Sequence, residues 1–231
     1  MKEFKIRCSA IGQIMTNPRT NKAKEAGELS ETAKSYCKMW LKSALFDRDY
    51  EFSSKYTDKG ITVEDSSIEF AAEQLGWGMV FKNEEYKENE YLTGTCDLKL
   101  SNKIIDMKNA YDWATFPLFD DVPPNDHNDK QLQGYMELYD KDEAQIVYTL
   151  MDTPEHLIER EITSAVYKSG LDEMPAGFEE KIIRNHTYSD VPEKLRIKAF
   201  PTIQRDREFI KAVYQRVIEC RNYIETLKAN L

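Results

Sequence analysis

The chain has 231 residues, 41% of them hydrophobic, and a formal net charge of −9. That is enough apolar material for one sizeable core and rather little for two independent ones. Its apolar runs, such as Gly78-Met79-Val80-Phe81 and Ile104-Ile105, fall far below the roughly 18 residues that span a bilayer; the charged start Lys2-Glu3-Phe4-Lys5-Ile6-Arg7 lacks the apolar stretch and cleavage site of a secretory leader.

The expectation is therefore one cytoplasmic domain over 1–231 with no membrane segment. It divides into a basic helical part to about residue 50, a core over about 60–165 and a C-terminal helical part from about 170. Taking the elements in order, Ser30 offers an N-cap, and Ala33, Cys37, Trp40, Leu41, Ala44 and Leu45 follow on one helical face. After Gly60, a second helical stripe of Glu64, Ile68, Ala71, Ala72 and Leu75 ends near Gly76. That stripe starts with a carboxylate. Strand patterns come next at about 78–83, 91–100 and 103–109, with Ser101-Asn102 turning the last two into a hairpin. A Pro-rich loop over 116–126 leads to a helix over about 127–139. Further strand patterns lie at 144–150 and 157–162, and a helical stripe from Phe209 to Leu227 closes the chain. Helices around a central mixed sheet make this an α/β (α+β) fold.

Charge is unevenly spread. Residues 1–42 hold nine Lys or Arg against four acids, a surplus of five, which leaves −14 for the remainder. Such a basic segment suits a phosphate backbone, with bound cations offsetting the carboxylates, and equally fits an ordinary solvated charge pattern. Cys8, Cys37, Cys96 and Cys220 stand singly, and His127, His156 and His186 lack metal-binding spacing, which argues against a zinc site. Reduced thiols are expected.

The chemistry concentrates in Tyr91-Leu92-Thr93-Gly94-Thr95-Cys96-Asp97 and the following Ile104-Ile105-Asp106-Met107-Lys108. Alternation along a strand puts Asp106 and Lys108 on one face, with Ile105 and Met107 on the other. Asp97, on the preceding hairpin strand, is then close enough to share one cation with Asp106. Hard carboxylate oxygens suit magnesium or manganese. The triplet acid-x-Lys is not itself informative, since it recurs as Glu3/Lys5, Glu85/Lys87 and Glu179/Lys181; the apolar strand and its partner Asp97 set Asp106/Lys108 apart, against the alternative of a surface ion pair. Glu64, a carboxylate on a stripe that should be buried, is the expected third ligand, or else an acid at an exposed first turn. Gln131 and Tyr135 lie one helical turn apart and face the same way, able to orient a ligand or phosphate, although such pairs are commonly surface decoration.

In the order of these motifs the sequence resembles the PD-(D/E)XK nucleases, and within them the lambda exonuclease and YqaJ-like viral recombinases. Gly60-Ile61-Thr62-Val63-Glu64 is similar to the family's Gly-x-x-x-Glu helix, Thr95-Cys96-Asp97 to its Ser-Pro-Asp, and Asp106-Met107-Lys108 to its Glu-x-Lys. Gln131 to Tyr135 resembles the trailing Gln-x-x-x-Tyr, and Ser9-Ala10 with Asn17-Pro18-Arg19 resembles the opening segment that binds a terminal DNA phosphate. Cys96 stands where the family has proline, and Asp106 where glutamate is commoner. The resemblance implies a restriction-endonuclease-like core that binds Mg2+, with Mn2+ substituting, through Glu64, Asp97, Asp106 and the Met107 carbonyl. Lys108 would assist hydrolysis, while Ser9 and Arg19 would hold DNA phosphates. It further implies 5′ to 3′ degradation of double-stranded DNA in phage-type recombination inside a bacterial host, a single-strand annealing partner and a trimeric ring. An endonuclease or structure-specific nuclease on this scaffold, and a non-catalytic DNA-binding module, are the alternatives. An iron-sulfur cluster is not expected, because the clustered C-terminal cysteines it needs are reduced here to Cys220.

Overall fold

A computed structural model describes residues 2–48, 54–170 and 174–231. It opens with β1 (Ile6–Arg7), a 3-10 turn at Cys8–Ala10, α1 (Ile11–Ile14), α2 (Asn21–Glu25), α3 (Glu31–Phe46) and α4 (Lys55–Leu75). Then come β2 (Lys87–Glu88), β3 (Leu92–Gly94), β4 (Leu98–Lys99), β5 (Lys103–Asn109), α5 (His127–Tyr139), β6 (Glu143–Thr149), α6 (Glu155–Ser169) and α7 (Phe178–His186). A second 3-10 turn (Glu193–Leu195), β7 (Ile197–Ala199), β8 (Ile203–Gln204) and α8 (Arg207–Lys228) complete it.

Three helix starts follow directly from side-chain chemistry. Ser30, Ser54 and Asp206 each accept a hydrogen bond from the third backbone N–H of the helix they precede, at 3.0 Å from Ala33, 3.2 Å from Thr57 and 2.9 Å from Phe209. At the other end of α4, Gly76 takes the left-handed conformation (φ 66°) that a side chain would strain. Helix α4 starts about two turns before the point expected after Gly60, because Ser54 caps it and a side chain at Gly60 would meet open space.

The main sheet runs β4-β5-β6-β7, with β8 also on β6. β5 and β6 are parallel and the other pairs antiparallel, so the sheet is mixed, and β4 pairs with β5 through Leu98 opposite Ile105. The two faces of β5 are covered differently. Ile105 and Met107 join Leu98, Val147 and the α4 residues Ile68 and Ala71 in one apolar cluster. Ile104 joins Ala144, Ile146 and the α5 residues Leu132, Tyr135 and Met136 in the larger core, which α3 and α8 extend through Cys37, Val213, Val217 and Ile224. Among the described residues no helix is long and apolar enough to cross a membrane.

Several elements depart from the sequence reading. The pattern at 91–100 is two strands in different sheets: β3 lies between β1 and β2 in a three-stranded sheet, while β4 edges the main one. Residues 78–83 form no strand, and Gly78 there has φ +72°. The stretch 157–162 lies inside α6, which Pro154 precedes, and buries the neighbouring Leu157 and Ile158 together rather than in alternation. β1 interrupts the expected N-terminal helical part, and β7 and β8 the C-terminal one; the last two residues before 51 lie outside the described residues. These short edge strands carry too few alternations to register as a period.

Candidate active site

The site is built where β4 stops short. Asp97 falls in the bend just before β4 and not on a strand, so its side chain does what a ladder carbonyl would do and its Oδ2 accepts the N–H of Met107 at 2.7 Å. That bond brings its carboxylate to Asp106. Gly94, in the preceding β3, is needed for the approach of α5: a Cβ there would sit 2.9 Å from Cε1 of Tyr135.

Asp106 is fully buried. Its Oδ1 accepts a hydrogen bond from Gln131 Nε2 at 3.1 Å, and the same amide donates to the Tyr135 hydroxyl at 3.1 Å. Its Oδ2 lies 2.8 Å from Lys108 Nζ, an ion-pair contact without hydrogen-bond direction, and has no hydrogen-bond donor of its own. Asp106 and Lys108 therefore meet on the α5 face of β5, and Gln131 and Tyr135 reach the same carboxylate from the helix.

Electrostatics reflects this crowding. Burial, then the neighbouring Asp106 and Glu64 charges, push the Asp97 carboxyl up to about 7, against the pull of Lys108 and the Met107 N–H. Burial works against the Lys108 ammonium, but Asp106 and Asp97 outweigh it and hold its pKa above the usual lysine range. Burial and Asp106 raise Tyr135 well above the ordinary phenol range, which keeps its hydroxyl neutral.

Glu64 is placed differently. It sits on α4, which packs on the Ile105 and Met107 face of β5, opposite to Asp106, and its charge acts on Asp97. Its Oε2 is 2.6 Å from Lys82 Nζ. Among the described residues no group of three or more His, Cys, Asp or Glu side chains is gathered around one point. Ser9, in the first 3-10 turn, and Arg19, before α2, are exposed; no hydrogen bond or ion pair among the described residues joins either to the carboxylates. Nothing in the sequence singles out Lys82 and its neighbour Asn83, since a lone lysine in a stretch without regular structure carries no spacing signal. The four thiols are buried and unbridged.

No protein-family model and no curated protein matches the sequence. Among solved structures, a phage-related exonuclease from Haemophilus somnus 129PT is 31% identical with a TM-score of 0.78, over 99% of this chain and 97% of that one. The chain belongs to the lambda-exonuclease-like branch of the PD-(D/E)XK nucleases. The alkaline exonuclease LHK-Exo from Laribacter hongkongensis shares this exonuclease fold at 13% identity and TM-score 0.64, over 98% of this chain and 92% of that one. Its complex with dAMP superposes equally well, at 14% identity. The shared fold thus extends over nearly the whole chain.

Proposed function

We propose that this protein is a Mg2+-dependent deoxyribonuclease, with manganese able to substitute, and that it degrades double-stranded DNA from its 5′ ends. The observation that carries the reading is Asp106: a fully buried carboxylate whose Oδ2 has only the Lys108 ammonium beside it and no hydrogen-bond donor. With the Asp97 charge acting on it as well, two carboxylates share this one ammonium, a local surplus of negative charge that a cation would offset. It also argues against a non-catalytic module with a merely solvated acidic face.

The donors fit a hard divalent ion. Asp97, Asp106 and the Met107 carbonyl would hold it, with Glu64 joining once freed from Lys82. When bound, such an ion supplies the charge that activates water and offsets the scissile phosphate. Lys108 donates toward the attacking water or the phosphate oxygen that gains charge. Gln131 fixes the Asp106 carboxylate by its 3.1 Å bond, and Tyr135 fixes Gln131. Ser9 and Arg19, both exposed, would take DNA phosphates.

In this reading the chain is a single catalytic domain working in the cytoplasm of a bacterial host during phage-type recombination. It would leave single strand for an annealing partner and act as a ring-shaped trimer. The 31% identity to a phage-related exonuclease over nearly the full length of both chains supports exonuclease action over endonuclease action. The test is incubation of 5′- and 3′-labelled linear duplex with magnesium, beside a covalently closed circle and the Asp106→Ala variant. Mononucleotides released from the 5′ label, an intact circle and a silent variant are expected; a cut circle would make the enzyme an endonuclease.

A further inference from the structure

Lys82 belongs to none of the motifs above, yet its ammonium holds the carboxylate nearest the proposed ion on α4. The loop that carries it is pinned to the site: the Asn83 N–H donates to the Asp97 carbonyl at 2.7 Å, and Asn83 Nδ2 donates to the Cys96 carbonyl at 3.0 Å. The backbone is thereby fixed beside Asp97, while the Lys82 side chain remains 42% exposed and reaches Glu64 Oε2 at 2.6 Å. Glu64, Asp65 and Asp97 all draw on this one ammonium. An ion pair so open to water adds little to stability and exchanges readily.

We infer that Lys82 is a placeholder cation, which neutralises Glu64 in the ion-free protein and transfers to a DNA phosphate when a divalent ion takes that carboxylate. The inference rests on the metal-site reading above. Charge balance supports the exchange: the ion replaces the ammonium at Glu64, and the released ammonium, anchored within reach through Asn83, faces the polyanion that the ion recruits. No bond is made or broken.

One substitution then has two opposite effects. In Lys82→Gln, Mg2+ titrated calorimetrically into the DNA-free protein is expected to bind about threefold to fivefold more tightly, because its competitor for Glu64 is gone. In a Lys108→Ala background, in which cleavage is slow, the same substitution is expected to weaken duplex binding severalfold in magnesium and to lower the salt slope by about one ion. Lys82→Arg should restore both values toward those of the parent. A simple structural role for Lys82 would not move the two affinities in opposite directions. Unchanged or weaker Mg2+ binding in Lys82→Gln, or unchanged DNA binding, overturns the placeholder role alone. An Asp106→Asn control that binds Mg2+ as well as the parent overturns the metal site, and the exchange with it.

Discussion

Lys108 is the side chain whose role depends most directly on its surroundings. Held charged by Asp106 and Asp97 against its own burial, it is a fixed donor rather than a base at neutral pH. Lys108→Ala is expected to lower the cleavage rate by about 10² to 10³-fold, in the range of removing one transition-state donor, while duplex binding measured by anisotropy stays within a few fold. Full activity in that variant would remove the lysine from the chemistry. At this scale the alternation of Asp106 and Lys108 against Ile105 and Met107 was legible from a period of two, because a strand leaves no other choice. What periodicity could not supply was the partner of each oxygen. Gln131 meets Asp106 across 25 positions of sequence, and Lys82 meets Glu64 from a loop without any regular pattern.

Among the elements, α4 and the end of β5 are tied by a residue outside the site, Lys59. It is wholly buried, donates to the Tyr111 carbonyl at 2.8 Å, and lies near the rings of Tyr111 and Tyr188. Burial lowers its pKa to about 8, with Asp112 and Asp152 opposing the shift. Because the folded value lies below the unfolded value near 10.4, keeping this lysine charged costs stability throughout the range below about pH 8. The cost is relieved as pH rises from about 8 toward 10.4. Urea titrations of the parent and of Lys59→Met are expected to converge in the parent's favour over that window, by about 1.4 kcal/mol per pH unit at most. A difference that stays flat from pH 7 to 9.5 would show that Lys59 is neutral throughout or readily solvated. The element boundaries teach the same lesson about local signals. Ser30, Asp206 and Gly76 mark helix ends by chemistry that acts within three residues, whereas the start of α6 has the pattern of a strand because its two buried residues, Leu157 and Ile158, are adjacent. Only the packing of α6 and α7 separates that helix from a short apolar strand.

For the whole molecule, the main prediction is linkage between ion binding and folding. If a divalent ion completes the Asp97–Asp106 site, magnesium at about 100 times its dissociation constant should stabilise the protein by about 2.7 kcal/mol. That would appear as a raised thermal midpoint in the parent and its absence in Asp106→Asn; an equal rise in both would place the ion elsewhere. The sequence by itself determined the helical stripes of α3, α4 and α8, the alternation along β5, the hairpin of β4 and β5, the carboxylate on an apolar helix stripe and the order of motifs, since each is set by neighbours a few residues apart. Tertiary structure alone decided that β3 and β4 belong to different sheets, that Asp106 is fully enclosed, and that Glu64 comes from the opposite face and answers to Lys82. Those facts depend on which distant surfaces bury one another, and burial is a property of the assembled chain that no local spacing encodes.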